Sequence, residues 1–374
     1  MLGAIIGDIV GSVYEFDNVK TTDFPLFGRR SGPTDDTIMT LAVAEGLLDA
    51  GIDSDGRSRV FDAVAASMRK LGSAYPNAGY GMRFSGWLRS DDPKPYNSLG
   101  NGSAMRVSPV AWLFDDLTEV RAVARETAMP THNHPEGMKG AEAVAACIFL
   151  ARQGVEKSQI KTYVECEFGY DLSRTCDQIR PGYRFDETCP GSVPQAITAF
   201  LEGDSFERVL RLAVSLGGDS DTIACIACAI AEGCYPIPED IKAEALARLD
   251  DRQTAILDRY HEALGAKRRE RMSEVELYTS EGLSVEDLVE RFPMSDVSVL
   301  DYLALPELCV MTPIDLGEVA RDASGFSPYM CRSLITAIAC RGALDGGVIE
   351  RATSTGALPG LVKTLREKVT PHVL

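Results

Sequence analysis

The sequence predicts an all-α fold. Apolar residues recur at helical spacing along nearly the whole chain of 374 residues, and the alternating β-branched pattern typical of strands is almost absent. Up to about residue 265 this periodicity predicts one compact multi-helix domain, residues 1–265. Besides an apolar N-terminal segment, the predicted helices are about 37–50, 58–71, 118–129, 136–153, 192–202, 205–216, 221–233, 239–249 and 252–271.

The N-terminal segment from Met1 to Gly11 is predicted to be a buried helix. It lacks the basic start of a signal peptide and contains Asp8. Small residues stand at positions 3, 4, 7 and 11, a spacing that places them on one helix face. We therefore expect this helix to pack closely against another.

A second, smaller unit is predicted after the first domain. Residues 266–276 are highly charged and are interpreted as a linker, and residues 277–374 as a mostly helical unit. Within it, Leu316–Arg321 and Pro328–Leu344 indicate two helices, and Asp345 with two glycines could open a small wing, as in a winged helix-turn-helix. Residues 273–374 hold eight Lys/Arg against fifteen Asp/Glu, which makes DNA binding unlikely. A homo-oligomer or partner contact is the favoured role.

The composition limits the partners of the whole chain. A net charge of −17 argues against nonspecific binding of nucleic acid or of an anionic membrane. No apolar run is long enough to cross a membrane. Ten cysteines without a disulfide-like or zinc-like spacing predict reduced thiols and a cytoplasmic location.

Two short acidic clusters are the strongest functional signal. They are Thr34-Asp35-Asp36-Thr37 and Asp219-Ser220-Asp221-Thr222, and each precedes an apolar helical run. Taken singly, such clusters are more often helix N-caps. Their duplication, and the glycines at 217 and 218, favour metal ligation instead, because carboxylate and hydroxyl oxygens suit Mg²⁺, Mn²⁺ or Ca²⁺. Two cations at one site would relieve the mutual repulsion of four carboxylates.

Three further segments carry candidate binding groups. Gly100–Arg106 combines two glycines, an amide, a hydroxyl and a guanidinium, the ingredients of a diphosphate-binding loop, although an ordinary turn fits equally well. Thr131–Gly137 holds two of the four histidines, for which hydrogen bonding to a hydroxylated ligand is favoured over metal binding, with capping as the alternative. Glu15, taken alone, is typical of a solvated charge at a helix end.

Taken together, these motifs resemble a known family. G-D-x-x-G-S-x-x-E at 7–15, T-D-D-T, G-N-G-S-A-M-R, T-H-N-H-P and G-G-D-S-D-T occur in the order seen in the ADP-ribosylglycohydrolases, the dinitrogenase-reductase-activating glycohydrolase or ADP-ribosyl-acceptor hydrolase type. The resemblance covers about residues 1–265. It implies an all-α domain with a binuclear centre of two Mg²⁺ ions, with Mn²⁺ as the alternative, that hydrolyses an ADP-ribosyl bond in a modified protein or small molecule.

The resemblance also implies roles for individual residues. Glu15, Asp36 and Asp221 would be catalytic. The metal ligands would be Thr34, Asp35, Asp36, Asp219, Asp221 and Thr222. The substrate-binding residues would be Asn101, Gly102, Ser103, Met105, Arg106 and His134.

Two other functions stay open from the sequence. One is a catalytically weak ADP-ribose sensor or scaffold of the same fold, against which the intact acidic motifs argue. The other is a metal-dependent phosphohydrolase, although such enzymes typically use His-Asp pairs and neither acidic cluster contains a histidine. The acceptor also stays open among an arginine nitrogen, a serine oxygen, an acetylated ADP-ribose, and a base or nucleotide.

Overall fold

The computed structural model describes three parts of the chain: residues 1–51, residues 58–279, and a set of C-terminal residues. The C-terminal set consists of 316–321, 323–326, 330–331, 334–335, 338 and 347–368. Within these residues the regular structure is helical, and the only β-type pairing is an isolated bridge between Gly100 and Thr188. The all-α prediction is confirmed. None of the described helices is both long enough and apolar enough to cross a membrane.

Ten of the fifteen helices described in the first 279 residues correspond to helices predicted from periodicity. Their bounds are α1 Leu2–Gly11, α2 Asp35–Ala50, α3 Val60–Ala74, α4 Met82–Arg89, α5 Gly102–Met105, α6 Val110–Leu113, α7 Leu117–Ala128, α8 Pro135–Arg152, α9 Lys157–Phe168, α10 Cys176–Ile179, α11 Cys189–Glu202, α12 Phe206–Ser215, α13 Ser220–Ala231, α14 Glu239–Leu246 and α15 Asp251–Thr279. The periodicity did not predict α4, α5, α6, α9 and α10. Three of these, α5, α6 and α10, have one turn each, which is too short to show a helical period.

The centre of the core is formed by α1 and α13, which pack directly on each other. Every residue of both helices is buried. Gly3, Gly7 and Gly11 allow this approach, because a Cβ added at any of them would overlap the backbone of α13. The small-residue face predicted for the N-terminal helix is therefore a helix–helix contact.

Three helix ends meet at one place as a result. Gly11, at the end of α1, lies against the backbone of Asp221 in the first turn of α13. The side chain of Asp8 in α1 accepts hydrogen bonds from Thr34 and Thr37 at the start of α2. The two acidic clusters, which are 185 residues apart between Asp36 and Asp221 in the sequence, are thus brought together by α1.

The charged residues 266–276, predicted to form a linker, lie within α15. Their lysines, arginines and glutamates are good helix formers, so high charge here does not end the helix. The division into a domain 1–265 and a C-terminal unit stays a prediction.

The described part of the C-terminal unit is helical. It comprises α16 Leu316–Arg321, a 3₁₀ turn Ala323–Gly325, α17 Gly347–Ser354 and α18 Ala357–Lys368, with α16 and α17 both packed on α18. Of the apolar residues in the predicted helix Pro328–Leu344, Leu334, Ile335 and Ile338 are buried within the chain, whereas Leu344 lies outside the described residues. Of the three residues predicted to open a wing, two lie outside the description and Gly347 begins α17.

Candidate active site

Five carboxylates converge where α1, α2 and α13 meet. Oxygen atoms of Asp8, Asp36 and Asp221 lie within 4.8 Å of one another, and so do oxygen atoms of Glu15, Asp219 and Asp221. Asp221 belongs to both groups. Two overlapping sets that share one carboxylate are an arrangement able to hold two adjacent cations.

Asp8 is a member of this cluster that was not among the predicted site residues. It is fully buried, and its carboxylate accepts hydrogen bonds from the backbone nitrogen of Thr34 at 2.9 Å and of Thr37 at 3.0 Å. Both threonine hydroxyls also donate to it, that of Thr34 at 2.7 Å. In the sequence, the signal for Asp8 is that it stands alone as a charged residue inside an otherwise apolar helix. Charged residues are rarely buried without partners, so an aspartate in this position indicates polar partners.

The first predicted cluster begins α2. Thr34 is the N-cap, and its hydroxyl oxygen accepts a hydrogen bond from the backbone nitrogen of Asp36 at 3.3 Å. The hydroxyl of Thr222, from the second cluster, donates to Oδ2 of Asp36 at 3.2 Å. The other oxygen of Asp36 is buried and has no hydrogen-bond partner. An orphaned carboxylate oxygen of this kind requires an explanation, and a bound cation is one.

The electrostatics of the cluster are those of uncompensated negative charge. Burial raises the pKa of Asp36 and Asp221 well above the usual range, and neighbouring carboxylates raise it further. Burial, followed by the charges of Asp8 and Asp219, raises the pKa of Asp35 to about 8. Among the residues that the structure describes, no lysine or arginine forms an ion pair with these groups. The all-oxygen donor set, the missing counter-charge and the orphaned oxygen together fit hard divalent cations such as Mg²⁺ or Mn²⁺.

Glu15 lies in the loop after α1 and is half-buried. Burial and the charge of Asp219 raise its pKa to about 7. Asn18 anchors this loop: its amide nitrogen donates to the backbone oxygen of Glu15 at 2.8 Å, and its amide oxygen accepts from the nitrogen of Gly218 at 2.8 Å. Gly218 adopts a φ of 69°, a conformation that favours glycine. The Gly217-Gly218 turn therefore connects the Glu15 loop to the second acidic cluster.

A cavity of about 480 Å³ opens over the carboxylates, a size suited to a nucleotide-like ligand. The acidic residues and the predicted binding loop both line it. The predicted site residues that line it are Glu15, Asp35, Asp36, Asn101, Gly102, Met105, Arg106, Asp219, Asp221 and Thr222. The predicted site residues outside this lining are Thr34, Ser103 and His134.

The predicted binding loop is tied to the acidic cluster through Asn101. Its amide nitrogen donates to Oδ2 of Asp219 at 2.6 Å and to the hydroxyl of Ser192 at 2.9 Å. Ser103 is turned away, because its buried hydroxyl donates to the backbone oxygen of Gly137 at 2.7 Å. The loop thus presents Asn101 to the carboxylates, while Ser103 fastens it to α8.

Arg106 lies beneath the loop and is only 1% exposed. Its Nη2 donates to the hydroxyl of Thr131 at 2.9 Å and to the backbone oxygen of Thr127 at 3.2 Å, whereas its Nε has no partner. Burial lowers the pKa of this guanidinium to about 10, so it is positively charged at neutral pH. Arg106 therefore supplies positive charge to the lining of the cavity, next to Thr131.

The two histidines have different surroundings. His132 is buried and lines the cavity, and its Nδ1 lies 2.7 Å from the hydroxyl of Thr131. Burial, with the charge of Arg106, lowers its pKa well below the usual range, so its ring is neutral. His134, the predicted binding residue, is instead the N-cap of α8, where its Nδ1 accepts from the backbone nitrogen of Glu136 at 3.1 Å. No spacing in the sequence distinguishes the two rings.

The chain is similar to known proteins of one family. A family model described as ADP-ribosylglycohydrolase matches residues 1–272. ADP-ribosylhydrolase ARH3 of Mus musculus is 29% identical over 314 residues, covering 63% of this chain and 82% of that protein. ADP-ribosylarginine hydrolase Tri1 of Serratia proteamaculans is 23% identical over 270 residues, covering 63% and 70% respectively.

A solved structure titled "ADP-ribosylglycohydrolase-related protein complex" is 27% identical, with a TM-score of 0.46, and the match covers 66% of this chain and 95% of that one. Because the family model spans well over half of the residues, the chain belongs to the ADP-ribosylglycohydrolase family and is an ADP-ribosyl hydrolase.

Proposed function

We propose that this protein hydrolyses the glycosidic bond at C1″ of the distal ribose and releases ADP-ribose from a modified protein or small molecule. The reaction would depend on two divalent cations, Mg²⁺ or, alternatively, Mn²⁺. The observation that carries the proposal is the pair of overlapping carboxylate groups that share Asp221 in the lining of the cavity. A binding loop with a buried cation, Arg106, lines the same cavity.

We assign the ligands from the two carboxylate groups. Asp36 and Asp221 would hold the first cation, and Asp219 and Asp221 the second, with Asp35, Thr34 and Thr222 as the remaining predicted ligands. Asp8 already accepts four hydrogen bonds from Thr34 and Thr37, so we assign it to orienting the start of α2. When bound, the cations would polarise the ribose hydroxyls and lower the pKa of the attacking water.

Side chains of the protein would take part in the proton transfer of this reaction. Water attacks C1″ as the bond to the acceptor breaks, through an oxocarbenium-like transition state, and the acceptor takes up a proton. Glu15 is close enough to Asp219 and Asp221 to accept the proton of the water or to assist the leaving group. Asn101, hydrogen-bonded to Asp219, would hold the binding loop in position relative to the reacting ribose.

A single product assay tests this proposal against its alternatives. The protein is incubated with ADP-ribosylated protein in Mg²⁺, and again after exhaustive chelation. Our proposal expects free ADP-ribose in Mg²⁺ only, a sensor would give no product, and a phosphohydrolase would give AMP and ribose phosphate. Asp221→Asn should lose nearly all activity, whereas Asp258→Asn, an exposed aspartate of α15, should keep it. Full activity without metal would exclude the two-cation mechanism.

The compartment remains a proposal as well. The eight described cysteines are all free thiols, as a cytoplasmic location would require. Partition of an epitope-tagged protein between cell fractions would test it.

A further inference from the structure

A second cavity, of about 280 Å³, adjoins the first. It is lined by Arg174, Ile179 and the segment 182–186, and its residue Phe185 also lines the carboxylate cavity. The ring of Phe185 is stacked on that of Phe16, the residue after Glu15, with centroids 6.2 Å apart. Both rings are exposed, Phe185 to 49% and Phe16 to 86%. The second cavity therefore opens beside the loop that carries Glu15.

The surroundings of this cavity are cationic, although the protein carries a net charge of −17. Arg174 and Arg184 line it, and Nζ of Lys20 lies 5.9 Å from the ring centroid of Tyr183, another lining residue. Within the described ranges none of these three cations forms an ion pair with a carboxylate. Arg180 lies close by and is paired with Asp177.

The lining also contains one carboxylate, that of Asp186. Its Oδ1 accepts hydrogen bonds from the backbone nitrogen and the hydroxyl of Thr188, at 2.9 Å and 2.7 Å. Lys20 lies outside the lining, and its Nζ donates to the backbone oxygen of Tyr183 at 3.1 Å. The lining itself therefore holds two arginines against one carboxylate, and this excess of positive charge on a concave surface indicates anion binding.

We propose that the second cavity binds a phosphate group carried by the acceptor, on the far side of the scissile bond from the ADP moiety. This inference rests on the proposed function. If the diphosphate binds against the loop that carries Arg106, C1″ lies near Glu15. The acceptor then leaves past Phe16 and Phe185 toward Arg184. Guanidinium groups bind phosphate oxygens in a bidentate manner, and the same charges disfavour a cationic acceptor segment.

The test uses two ADP-ribosylated peptides of identical sequence, of which one also carries a phosphoserine two residues from the modified residue. The pair is prepared with serine-linked and with arginine-linked ADP-ribose, and kcat and KM of ADP-ribose release are measured in Mg²⁺. The variants are Arg184→Ala and Arg174→Ala. The control is Arg252→Ala, an exposed arginine of α15 that lines neither cavity.

We expect the phosphorylated peptide to have a KM lower by about 10-fold, the equivalent of one hydrogen bond to a charged group. Arg184→Ala and Arg174→Ala should reduce this preference without changing release from the unphosphorylated peptide, and Arg252→Ala should preserve it. Equal KM values for the two peptides would refute the phosphate site and leave the proposed function standing. A preference that survives in both variants would also refute it. Release from none of the peptides would refute the proposed function and the phosphate site together.

Discussion

Gly11 has no room for a side chain, because a Cβ at this position would overlap the Cα of Asp221. This contact places the end of α1 on the start of α13. It also fixes the distance between Asp8 and Glu15 on one side and Asp221 on the other. The packing of two apolar helices therefore sets the geometry of the carboxylate cluster.

Gly11→Ala should separate α1 from α13. We expect the free energy of unfolding to fall by about 1–3 kcal/mol, the usual cost of adding a methyl group to a packed core. The rate of ADP-ribose release should fall by more than the loss of stability alone would cause, since both carboxylate groups would be displaced. The control is Gly86→Ala in α4, where nothing lies within 4 Å of the added Cβ and helix propensity should raise stability by about 0.5–1 kcal/mol. Equal turnover in the two variants would contradict the packing argument.

The carboxylate cluster could be predicted only in part. Both tetrapeptides stand at helix starts and carry hard donors, so Asp36 and Asp221 are visible in the sequence. Asp8 is visible only as an aspartate in an apolar helix and could not be assigned to the cluster, because its partners Thr34 and Thr37 meet it only through tertiary packing. Periodicity predicts the helices but contains no information on which helix ends converge.

The adjacent binding residues show the same limit. His132 and His134 share one segment, yet the chain direction at the start of α8 places the first in the cavity and the second on the helix cap. The cations in and beside the second cavity are Lys20, Arg174 and Arg184. They are far apart in the sequence, and no short motif connects them.

Asp8→Asn should reveal a positioning residue. The amide can keep its oxygen toward the backbone nitrogens of Thr34 and Thr37, which both donate to Oδ2. It loses the negative charge, however, and turns a donor toward the hydroxyl of Thr34, so the start of α2 would shift. We expect ADP-ribose release to fall by about 10- to 100-fold, the usual effect of removing an outer partner of a metal site. Asp221→Asn should reduce ADP-ribose release much further. A melting-temperature increase on adding Mn²⁺ should persist in Asp8→Asn at higher metal concentration, and its complete loss would instead make Asp8 a direct ligand.

Glu15→Gln should lower turnover by about 10²- to 10⁴-fold, the range for a lost general acid or base. Binding of ADP-ribose, measured by calorimetry, should change much less. Glu187→Gln is the matched control, because Glu187 lines the same cavity but belongs to neither carboxylate group. An equal loss of affinity and turnover would make Glu15 a binding residue.

His132→Ala and His134→Ala should differ. His132 lines the cavity, so its removal should raise KM for an ADP-ribosylated substrate. His134 caps α8, so its removal should lower the free energy of unfolding by about 1 kcal/mol with little change in KM. A raised KM for His134→Ala alone would restore the role predicted for this residue from the sequence.

The stability of the metal-free protein should fall as the pH rises from about 6 to about 8. Asp35 and Glu15 have folded pKa values of about 8 and about 7, above their ordinary values of 3.8 and 4.5. In this window the folded chain therefore binds more protons than the unfolded chain, and each deprotonation adds charge to the buried cluster.

Thermal unfolding in chelator should show a lower melting temperature at the higher pH. Added Mg²⁺ should stabilise most at that pH, where protons no longer compete for the carboxylates. Asp219→Asn should flatten the metal-free profile, since the charge of Asp219 contributes to raising the pKa of both Asp35 and Glu15. A metal-free melting temperature that rises over this range would contradict the account of the cluster as uncompensated charge.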